Sequence, residues 1–477
     1  DKKEADSILL AVDRGSFVVE SITKKERMLR PNPPFTTATL QQDAWSRLRF
    51  SAKKTMLIAQ QLYEGIEVEK GGASGLITYM RTDPFHIAED ALAQSRTYIE
   101  SAYGKNYLPN EARRYKTKAK TAQEAHEAIR PVDVELVPHE IKHNLTHDQY
   151  RLYDLIWRRF VASQMNDALF DQTVIAVRVD SNDKKIYTFR GRGNILHFDG
   201  FLKIFSSKRE DVLVPDVKEN DKLTLHDFTS EEHETQPPPR YTEASLIKAL
   251  EKFGIGRPST YAPTMSTIQE RGYVGKNDQK QLVPSEIGEK VNGILVEHFP
   301  QVVDIAFTAG MEEKLDEIAE GQKEWRAVLA DFYGPFSDVL KEKYETVVKE
   351  DMTEMLDEAC PECRKSLMIR HGRFGKFISC SGFPDCKFTK ALPPESLGIK
   401  CPKCKEGDVV ERRTRKRRIF YGCSRYPDCD FAVWQKPTGE MCPVCGSALI
   451  YMKNGSKCSN KECKYKNENF EARNPKS

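Results

Sequence analysis

The spacing of apolar residues changes several times along the chain. Residues 8–30 alternate apolar and polar side chains, as in SFVVESI, which predicts strands. The stretch TATLQQDAWSRLRFSAKKTMLIAQQLYEG then carries apolar residues at helical spacing, and it predicts a helix that ends at Gly65. The next nine residues, IEVEKGGAS, predict a loop. Further helices are predicted over 86–103 and 146–163, and Thr146 and Gln149 predict a capping box at the start of the second.

Alternation returns over residues 171–230, where TVIAVRVD, KIYTFRGRG and KLTLHDF predict strands separated by turn residues. The Pro-rich segment TQPPPR (235–240) is typical of a stiff linker. Beyond it, TEASLIKALEKFG (242–254) predicts a helix with a Thr cap and a terminal Gly, and residues 285–350 are again helical. Two β segments on either side of a helical insert indicate one sheet-rich domain that the insert interrupts.

The last part of the chain differs in composition from the rest. All 12 cysteines lie after residue 350, where 25 Lys and Arg face 16 Asp and Glu. This gives a net charge of +9, and it leaves −6 for the first 350 residues because the whole chain carries +3. No stretch approaches the roughly 20 apolar residues that a membrane helix needs. A domain boundary is therefore expected near residue 355.

The cysteines form three quartets, each of which opens with C-x2-C and closes with a second pair. They are Cys360, Cys363, Cys380 and Cys386; Cys401, Cys404, Cys423 and Cys429; and Cys442, Cys445, Cys458 and Cys463. Such pairs suit tetrahedral Zn²⁺ held by four thiolates. The repeats CSGFPDCKF and CSRYPDCDF indicate that the first two quartets are copies of one design. A disulfide scaffold is the alternative, but repeated C-x2-C in a sequence without a secretory signal favours metal.

Basic and aromatic residues surround these cysteines. GRFGKF (372–377) and RRTRKRRIFYG (412–422) combine cations with aromatics, a pattern typical of proteins that bind single-stranded nucleic acid. The alternative is that the aromatics form the small cores of the modules and the charges form a solvated face. Three Zn²⁺ ions with four thiolates each would add a charge of about −6 and would reduce the positive charge of this region.

GLITYMRTD places Tyr79 at the end of an apolar run and two residues before Arg81. Such a run usually marks a buried strand in which the Tyr is structural. A phenol, whose pKa is ordinarily about 10, needs a neighbouring cation or base to act as a nucleophile. In a strand, Arg81 would lie on the same face as Tyr79, and its planar guanidinium suits phosphate oxygens. The spacing alone leaves both interpretations open.

Two other stretches combine cations with polar groups. QEAHEAIRP places His126 one helical turn from Arg130, which is usual for a surface or capping histidine. GIGRPSTYAP gathers Arg257, Ser259 and Thr260 where one helix ends and the next begins. The free N–H groups of a helix start, with two hydroxyls and a cation, form an anion site. An ordinary capped turn between two helices is the alternative.

GLITYMRTD, QEAHEAIRP and EKFGIGRPSTYAPTMSTIQERGYV, followed by the cysteine quartets, together resemble bacterial DNA topoisomerase I, a type IA DNA topoisomerase. The resemblance covers essentially the whole chain in family order. It implies a multidomain α+β toroid with a β-rich arch, an inserted helical gate domain, a helical domain that binds single-stranded DNA, and three four-cysteine zinc ribbons. The implied ranges are 1–30 and 167–236 for the arch, 31–166 for the gate, 237–350 for the helical domain, and 357–395, 399–436 and 440–470 for the ribbons.

The chemistry of this family would fall on particular residues. By the resemblance, Tyr79 attacks a DNA phosphodiester to form a 5′-phosphotyrosyl bond, another strand passes, and religation relaxes negatively supercoiled DNA without ATP. Arg81 would stabilise the charge on the scissile phosphate, and His126 would contact the DNA backbone nearby. The positions that would grip the single strand are Arg257, Ser259, Thr260 and Arg271.

One part of the family's active site has no counterpart in this sequence. The family's N-terminal Toprim domain holds Mg²⁺ with a D-x-D-x-E cluster, and no D-x-D-x-E occurs here. Because the sequence also begins without Met, we expect a fragment without full activity of its own. The resemblance implies a bacterial cytoplasmic enzyme that is associated with the nucleoid and, through its tail, with RNA polymerase.

Two other functions are alternatives to this one. The first is a non-catalytic zinc-ribbon protein that binds single-stranded nucleic acid. The second is a tyrosine recombinase or type IB enzyme, which would have dispersed Arg and His residues ahead of a Tyr near the C-terminus. That order is not present in this sequence.

Overall fold

Long antiparallel strands run through the first of the two units into which the chain divides, residues 1–347 and 348–477. The structure is a computed structural model, and it describes residues 2–13, 15–69, 72–116, 127–206, 211–347, 353–372, 375–394, 396–414, 419–452 and 455–467. Within those residues, no helix combines the length and apolar character needed to cross a membrane.

In the described part of the first unit, helices alternate with groups of strands. The helices are α1 (Lys2–Val12), α2 (Thr37–Asp43), α3 (Ala52–Glu64), α4 (Glu89–Tyr103), α5 (His147–Ser163), α6 (Glu243–Lys252), α7 (Tyr261–Glu270), α8 (Glu286–His298), α9 (Pro300–Val303), α10 (Ile305–Ala319) and α11 (Trp325–Thr346). The strands are β1 (Ser16–Leu29), β2 (Ile66–Glu69), β3 (Gly72–Ser74), β4 (Ala168–Asp180), β5 (Ile186–Phe198), β6 (Lys222–Leu223), β7 (Val274–Lys276) and β8 (Leu282–Pro284).

The main sheet of this unit has the strand order β5-β4-β1-β6, and all neighbouring strands are antiparallel. β1 pairs with β4 along its whole length, from Ser16 opposite Asp180 to Leu29 opposite Ala168, with a bulge after Val19. The prediction that strands begin at residue 8 was wrong, because the first positions of that stretch belong to α1. Residues 8–12 are a continuous apolar run, ILLAV, which periodicity alone cannot assign to a helix or a strand.

The single helix predicted to end at Gly65 is in fact two helices, α2 and α3, joined through a π-helical turn. The chain leaves the turn at Arg49, whose φ of 61° lies in the left-handed region. Phe50 then enters the core at 2% exposure, and the Ser51 hydroxyl accepts the N–H of Lys54 to begin α3. Periodicity did not show the break because both helices bury apolar residues in the same core.

One loop prediction and one strand prediction also differ from the structure. IEVEKGGAS, predicted as a loop, forms a two-stranded antiparallel ribbon of β2 and β3. KLTLHDF contributes the two-residue strand β6, whereas TVIAVRVD and KIYTFRGRG lie in the long strands β4 and β5. A strand at the edge of a sheet has one neighbour to pair with, so its length depends on that neighbour more than on its own alternation.

The predicted caps of α6 and α5 are confirmed. Thr242 and Ser245 form a reciprocal capping box at the start of α6, and Gly254 follows its end with a φ of +72°. Thr146 and Gln149 form the same kind of box at the start of α5. These ends are set by residues within a few positions of each other, so the local sequence is sufficient to define them.

Glu243, in the first turn of α6, connects that helix to the start of α3. Its side chain is 3% exposed, and one carboxylate oxygen accepts the backbone N–H of Ala52 at 2.9 Å. The other oxygen lies 2.5 Å from Nζ of Lys276. A carboxylate buried this deeply is costly without partners, so these contacts hold α6, α3 and β7 together.

The second unit contains three four-stranded antiparallel sheets, each next to one cysteine quartet. Their strands are β9 (Glu354–Ala359), β10 (Ser366–Gly372), β11 (Gly375–Cys380) and β12 (Thr389–Ala391); β13 (Ser396–Lys400), β14 (Asp408–Arg413), β15 (Ile419–Cys423) and β16 (Ala432–Val433); and β17 (Pro437–Met441), β18 (Ala448–Met452), β19 (Gly455–Cys458) and β20 (Lys466–Asn467). In each sheet the strands neighbour one another in chain order, which is the simplest topology for so short a segment.

We predict that Glu243→Ala lowers the free energy of unfolding of the first unit by about 3 kcal/mol, because Lys276 is left without its buried partner. Hydrogen exchange of peptides from the start of α3 should accelerate, since Ala52 loses the acceptor for its N–H. The control is Glu251→Ala, which removes an exposed contact with Gln42 and should change stability by less than about 1 kcal/mol. Equal effects of the two substitutions would contradict the role assigned to Glu243.

Candidate active site

Tyr79 lies on an irregular segment, residues 75–83, that connects β3 with α4. The regular strand expected there is absent; this described segment makes a single antiparallel bridge, between Ile77 and Pro131. Ile77 and Met80 are each 1% exposed, whereas the Tyr79 side chain is 40% exposed. The apolar run is therefore core, as its composition indicates, but the Tyr at its end faces solvent.

The backbone before Tyr79 packs directly on the last turn of α3. The N–H of Leu76 donates to the carbonyl of Leu62 at 2.8 Å. A Cβ added at Gly75 would lie 2.7 Å from the carbonyl oxygen of Tyr63, closer than such atoms approach in proteins. Only glycine fits this approach without moving backbone, which explains the glycine at the start of GLITYMRTD.

Hydrogen bonds hold the residues on both sides of Tyr79. The Thr78 hydroxyl donates to the carbonyl of Ala128 at 2.7 Å, and the Thr78 N–H donates to the carbonyl of Arg130 at 2.9 Å. The Thr37 hydroxyl donates to the carbonyl of Met80 at 2.7 Å and accepts the N–H of Thr82 at 2.8 Å. The backbone that carries the phenol is thus anchored at alternate residues.

The ring of Tyr79 meets the ring of Tyr63 edge to face. Their centroids are 5.3 Å apart, the planes are inclined by 65°, and Tyr63 is 41% exposed. Sequence reasoning missed Tyr63, although it stands in the last turn of α3 before Gly65. The signal in the sequence was the glycine-rich stretch after β2, because glycine allows the chain to pass close to the last turn of α3.

Arg81 is exposed, and the residue between it and Tyr79, Met80, is buried. The two side chains therefore reach the same surface even though the segment is not a strand. A guanidinium exposed in this way can bind an anion from solvent.

His126 lies outside the described residues, so its position is a prediction from the sequence. Its described neighbours, from Glu127 onwards, are extended rather than helical, and Ile129 bridges to Phe35. The helical turn expected around Arg130 is therefore wrong. Arg130 instead pairs with Glu127 at 2.7 Å, and Glu127 also accepts the N–H of Ala88 at the start of α4.

Arg257 is held by carboxylates of α10. Its guanidinium lies 2.5 Å from Asp316 and 3.7 Å from Glu312, and Glu312 also accepts the N–H of Gly256 at 3.0 Å. Burial alone would lower the pKa of Arg257, but the hydrogen bond and charge of Asp316 outweigh it and raise that pKa. An incoming phosphate would have to compete with these carboxylates for the arginine.

Ser259 and Thr260 are exposed just ahead of α7. The Thr260 hydroxyl accepts the N–H of Arg257 at 2.8 Å rather than capping the helix. Arg271 lies exposed at the other end of α7, about 16 Å further along the helix axis. Of the four residues expected to contact single-stranded DNA, the structure groups Arg257, Ser259 and Thr260. Arg271 lies one helix length away.

A cleft of 1040 Å³ brings two of the sequence motifs together. Thr82 and Asp83 of GLITYMRTD line one side, and Arg257 and Tyr261 of GIGRPSTYAP line the other. Lys252 of α6 adds a cation to the same wall. The motifs are far apart in sequence, and packing of α6 and α7 on α2 and α3 brings them to one cleft.

Each cysteine quartet gathers its four sulfur atoms within 4.8 Å of one another. Two Sγ–Sγ distances describe each quartet: 3.7 and 3.2 Å in the first, 3.7 and 3.6 Å in the second, and 3.7 and 3.3 Å in the third. These separations are too long for a disulfide bond, which measures about 2.05 Å. They approach those expected around a tetrahedral ion with Zn–S distances of about 2.3 Å.

Local hydrogen bonds favour the thiolate form of one cysteine in each quartet. Backbone N–H groups of the following turn lower the pKa of Cys363 and of Cys404 to about 7. The hydroxyl of Ser447 lowers the pKa of Cys445 to about 6. Metal binding requires thiolates, so these turns are suited to Zn²⁺, and the four cysteines of each quartet would be its ligands.

The first two ribbons also share an exposed aromatic side chain. Phe383 and Tyr426, 56% and 63% exposed, occupy matching positions in CSGFPDC and CSRYPDC. An arginine lies over each ring, Arg370 at 5.5 Å and Arg412 at 5.4 Å from the centroid. The third quartet closes with CSNKEC, which contains no aromatic. Residues 373 and 374 of GRFGKF and residues 415–418 of the basic run lie outside the described residues.

Comparison with known families and structures agrees with this geometry. A family model described as DNA topoisomerase matches residues 1–330, and one described as topoisomerase DNA-binding C4 zinc finger matches 357–395 and 398–438. The solved structure of full-length topoisomerase I from Thermotoga maritima is similar, at 33% identity and a TM-score of 0.63. The chain belongs to the bacterial type IA DNA topoisomerase I family.

The match to the Thermotoga maritima topoisomerase covers 88% of this chain and 64% of that one, so the chain spans less than two thirds of that relative's length. The mixed helix-and-sheet body and the three cysteine quartets agree with the α+β topoisomerase fold implied by the resemblance. The third quartet follows the last matched residue of the zinc-finger model, but its sulfur geometry is that of the other two.

We predict that Gly75→Ala displaces the segment that carries Tyr79, because the new Cβ meets backbone that cannot yield. Stability should fall by about 2 kcal/mol, and the rate at which tetranitromethane nitrates Tyr79 should change. Gly293→Ala in α8 is the control, since a Cβ there meets nothing within 4 Å. An unchanged nitration rate in Gly75→Ala would show that the close approach does not position the phenol.

We also predict three bound Zn²⁺ ions per chain, measured by elemental analysis and by release to a chromogenic chelator. Cys380→Ser should reduce the content to two, because three thiolates remain in that quartet. The neighbouring substitution Ser381→Ala should retain all three. A full zinc content in Cys380→Ser would refute the assignment of that ligand set.

Proposed function

We propose that this chain carries the nucleophile and DNA-holding parts of an ATP-independent topoisomerase that relaxes negatively supercoiled DNA. One observation supports this most directly. In a chain of the DNA topoisomerase family, Tyr79 is presented at the surface on a backbone that is anchored at alternate residues. A structural tyrosine at the end of an apolar run would be expected in the core.

The proposed cleavage step is a transesterification. The phenol oxygen of Tyr79 attacks the phosphorus, the bond to the 3′ oxygen breaks, and a 5′-phosphotyrosyl ester forms. The phenol loses its proton, and the 3′ oxygen gains one as a hydroxyl. One phosphodiester replaces another, so the bond energy is conserved and religation by the reverse step needs no ATP.

Arg81 would stabilise the charge that grows on the phosphoryl oxygens, for which its planar guanidinium is suited. Tyr63 and the hydrogen bonds of Thr78 and Thr37 would limit the motion of the phenol before the attack. Holding the reacting group in place reduces the entropy lost on reaching the transition state.

The single strand would follow the cleft and the start of α7. Arg257, Ser259, Thr260 and Arg271 are proposed as its contacts, with His126 near the scissile phosphate. For Arg257, a DNA phosphate would have to compete with Asp316 as the partner, so DNA binding there would separate that ion pair. Binding of the DNA strand would then be accompanied by a local change at α10, where Asp316 would lose its partner.

The family also uses Mg²⁺, but the described residues do not present a ligand set that fits it. Among them, the groups of three or more side chains able to hold a metal are the three cysteine quartets. Thiolates are poor ligands for Mg²⁺, which takes oxygen atoms. We therefore assign no step of this chain's chemistry to Mg²⁺.

The zinc ribbons would hold single-stranded DNA. Phe383 and Tyr426 offer exposed rings on which bases can stack, and an arginine lies over each ring. Stacking on aromatics beside cations is how proteins bind single strands without sequence preference. The association with RNA polymerase expected of this tail stays a prediction from the sequence.

The test mixes this chain with a bacterial Toprim domain, Mg²⁺ and an oligonucleotide labelled at its 3′ end. We expect label to become attached covalently to Tyr79, and a 5′ label to be released. Tyr79→Phe should abolish the adduct, and Arg81→Ala should slow its formation roughly 100-fold. Arg114→Ala, which removes an exposed ion pair elsewhere in the first unit, should have little effect.

Retention of the 5′ label instead would indicate a 3′-phosphotyrosyl bond and a recombinase-like or type IB reaction. DNA binding without an adduct under any condition would favour the second candidate, a non-catalytic single-strand-binding protein. The exposed aromatics of the ribbons are the observation that supports that candidate.

For the ribbons, we predict that Phe383→Ala and Tyr426→Ala each weaken binding of oligo-dT about tenfold, because each removes a stacking surface. Fluorescence anisotropy measures the affinity, and zinc content checks that the ribbon is intact. Val444→Ala truncates an exposed apolar side chain of the third ribbon and serves as the control. Unaltered affinity in both aromatic variants would remove the ribbons from the single-strand site.

A further inference from the structure

One face of the main sheet carries a row of cations. The register of β1, β4 and β5 places alternate residues on the same side, and on one side these include six Lys and Arg. We call this side the basic face; its cations are Lys25, Arg27, Arg178, Arg190, Arg192 and Lys222. They belong to four strands, and the pairing of the strands brings them to one surface.

These cations are largely uncompensated. The side chains of Lys25, Arg27, Arg190 and Arg192 are exposed, and none makes an ion pair with another described residue. Arg178 does, with Asp180 at 2.9 Å. An ordinary solvated sheet face mixes charges of both signs, whereas an unpaired row of one sign creates a field that attracts an anionic partner.

The opposite face of the same sheet shows that this is not a general property of its strands. Val19 and Val179 are fully buried there, and Phe189 packs edge to face on Phe228 at 5.4 Å. Near its other end that face carries carboxylates, Glu26 opposite Asp171. The row of cations therefore lies on one side of the sheet.

We propose that the basic face binds the phosphate backbone of duplex DNA. This inference rests on the proposed function, and it adds a third DNA surface to the ribbons and the cleft. From Arg27, opposite Phe170, to the row of Arg178, the face extends about 27 Å along β4, or roughly eight base pairs.

The preference for a duplex over a single strand follows from what the basic face lacks. Among its described residues, the aromatic is Phe170, which is 3% exposed and part of the core. Single-strand sites use exposed aromatics as stacking platforms, as Phe383 and Tyr426 offer in the ribbons. Cations without such platforms contact phosphates and do not need unstacked bases.

The test is a comparison of salt dependence for two ligands, a duplex of about 20 base pairs and oligo-dT. A variant of the full chain carries Lys25→Gln, Arg27→Gln, Arg190→Gln and Arg192→Gln. Losing four phosphate contacts should reduce the slope of log affinity against log salt by about 3.6 for the duplex. When salt is raised from about 50 to 200 mM, duplex affinity should fall by a factor about 100 times smaller in the variant than in the unaltered chain. The affinity of the variant for oligo-dT should stay within about twofold of that of the unaltered chain.

The matched control removes the same charge elsewhere, with Lys3→Gln, Lys24→Gln, Lys184→Gln and Lys218→Gln. All four are exposed, and Lys24 lies on the opposite face of β1. An unchanged duplex slope in the first variant, an equal change in the control, or an equal loss for oligo-dT would each overturn the proposal. These readouts measure binding, so they do not depend on whether Tyr79 forms an adduct.

Discussion

The position of Tyr79 depends on the close contact between Gly75 and the last turn of α3. That contact brings the chain back over the helix, so that Leu76 hydrogen-bonds to Leu62 and the next residues enter the core. The phenol then projects to the solvent side, against the edge of Tyr63. The threonine hydrogen bonds on either side keep this geometry, and the proposed chemistry needs it because a nucleophile must be held to react efficiently.

Carboxylates hold the helices that follow the Pro-rich segment to their neighbours. Glu243 is buried between α6 and α3, while Asp316 and Glu312 neutralise Arg257 beside the cleft. The first contact is closed to solvent and contributes to stability. The second is open enough for an incoming anion to compete with it. DNA binding is therefore expected to alter the surroundings of Arg257 more readily than those of Glu243.

The three surfaces proposed to bind nucleic acid differ in their chemistry, and the family to which the chain belongs is that of the DNA topoisomerases. The cleft combines cations with carboxylates, the ribbons combine aromatics with arginines, and the basic face of the sheet has cations without exposed aromatics. Each composition suits a different state of the nucleic acid. A protein that cleaves one strand while holding a duplex would need more than one of them.

The sequence by itself determined the features that depend on neighbours along the chain: the zinc quartets, the caps of α5 and α6, and the motifs that carry the family resemblance. It did not show the helix break at Arg49, and it indicated a strand where residues 75–83 are irregular, because burial in a shared core overrode local periodicity. Only the tertiary structure decided that Tyr79 is exposed beside Tyr63, that Arg257 is paired, and that cations from four strands share one face. Those outcomes depend on contacts between residues far apart in sequence, which no local pattern encodes.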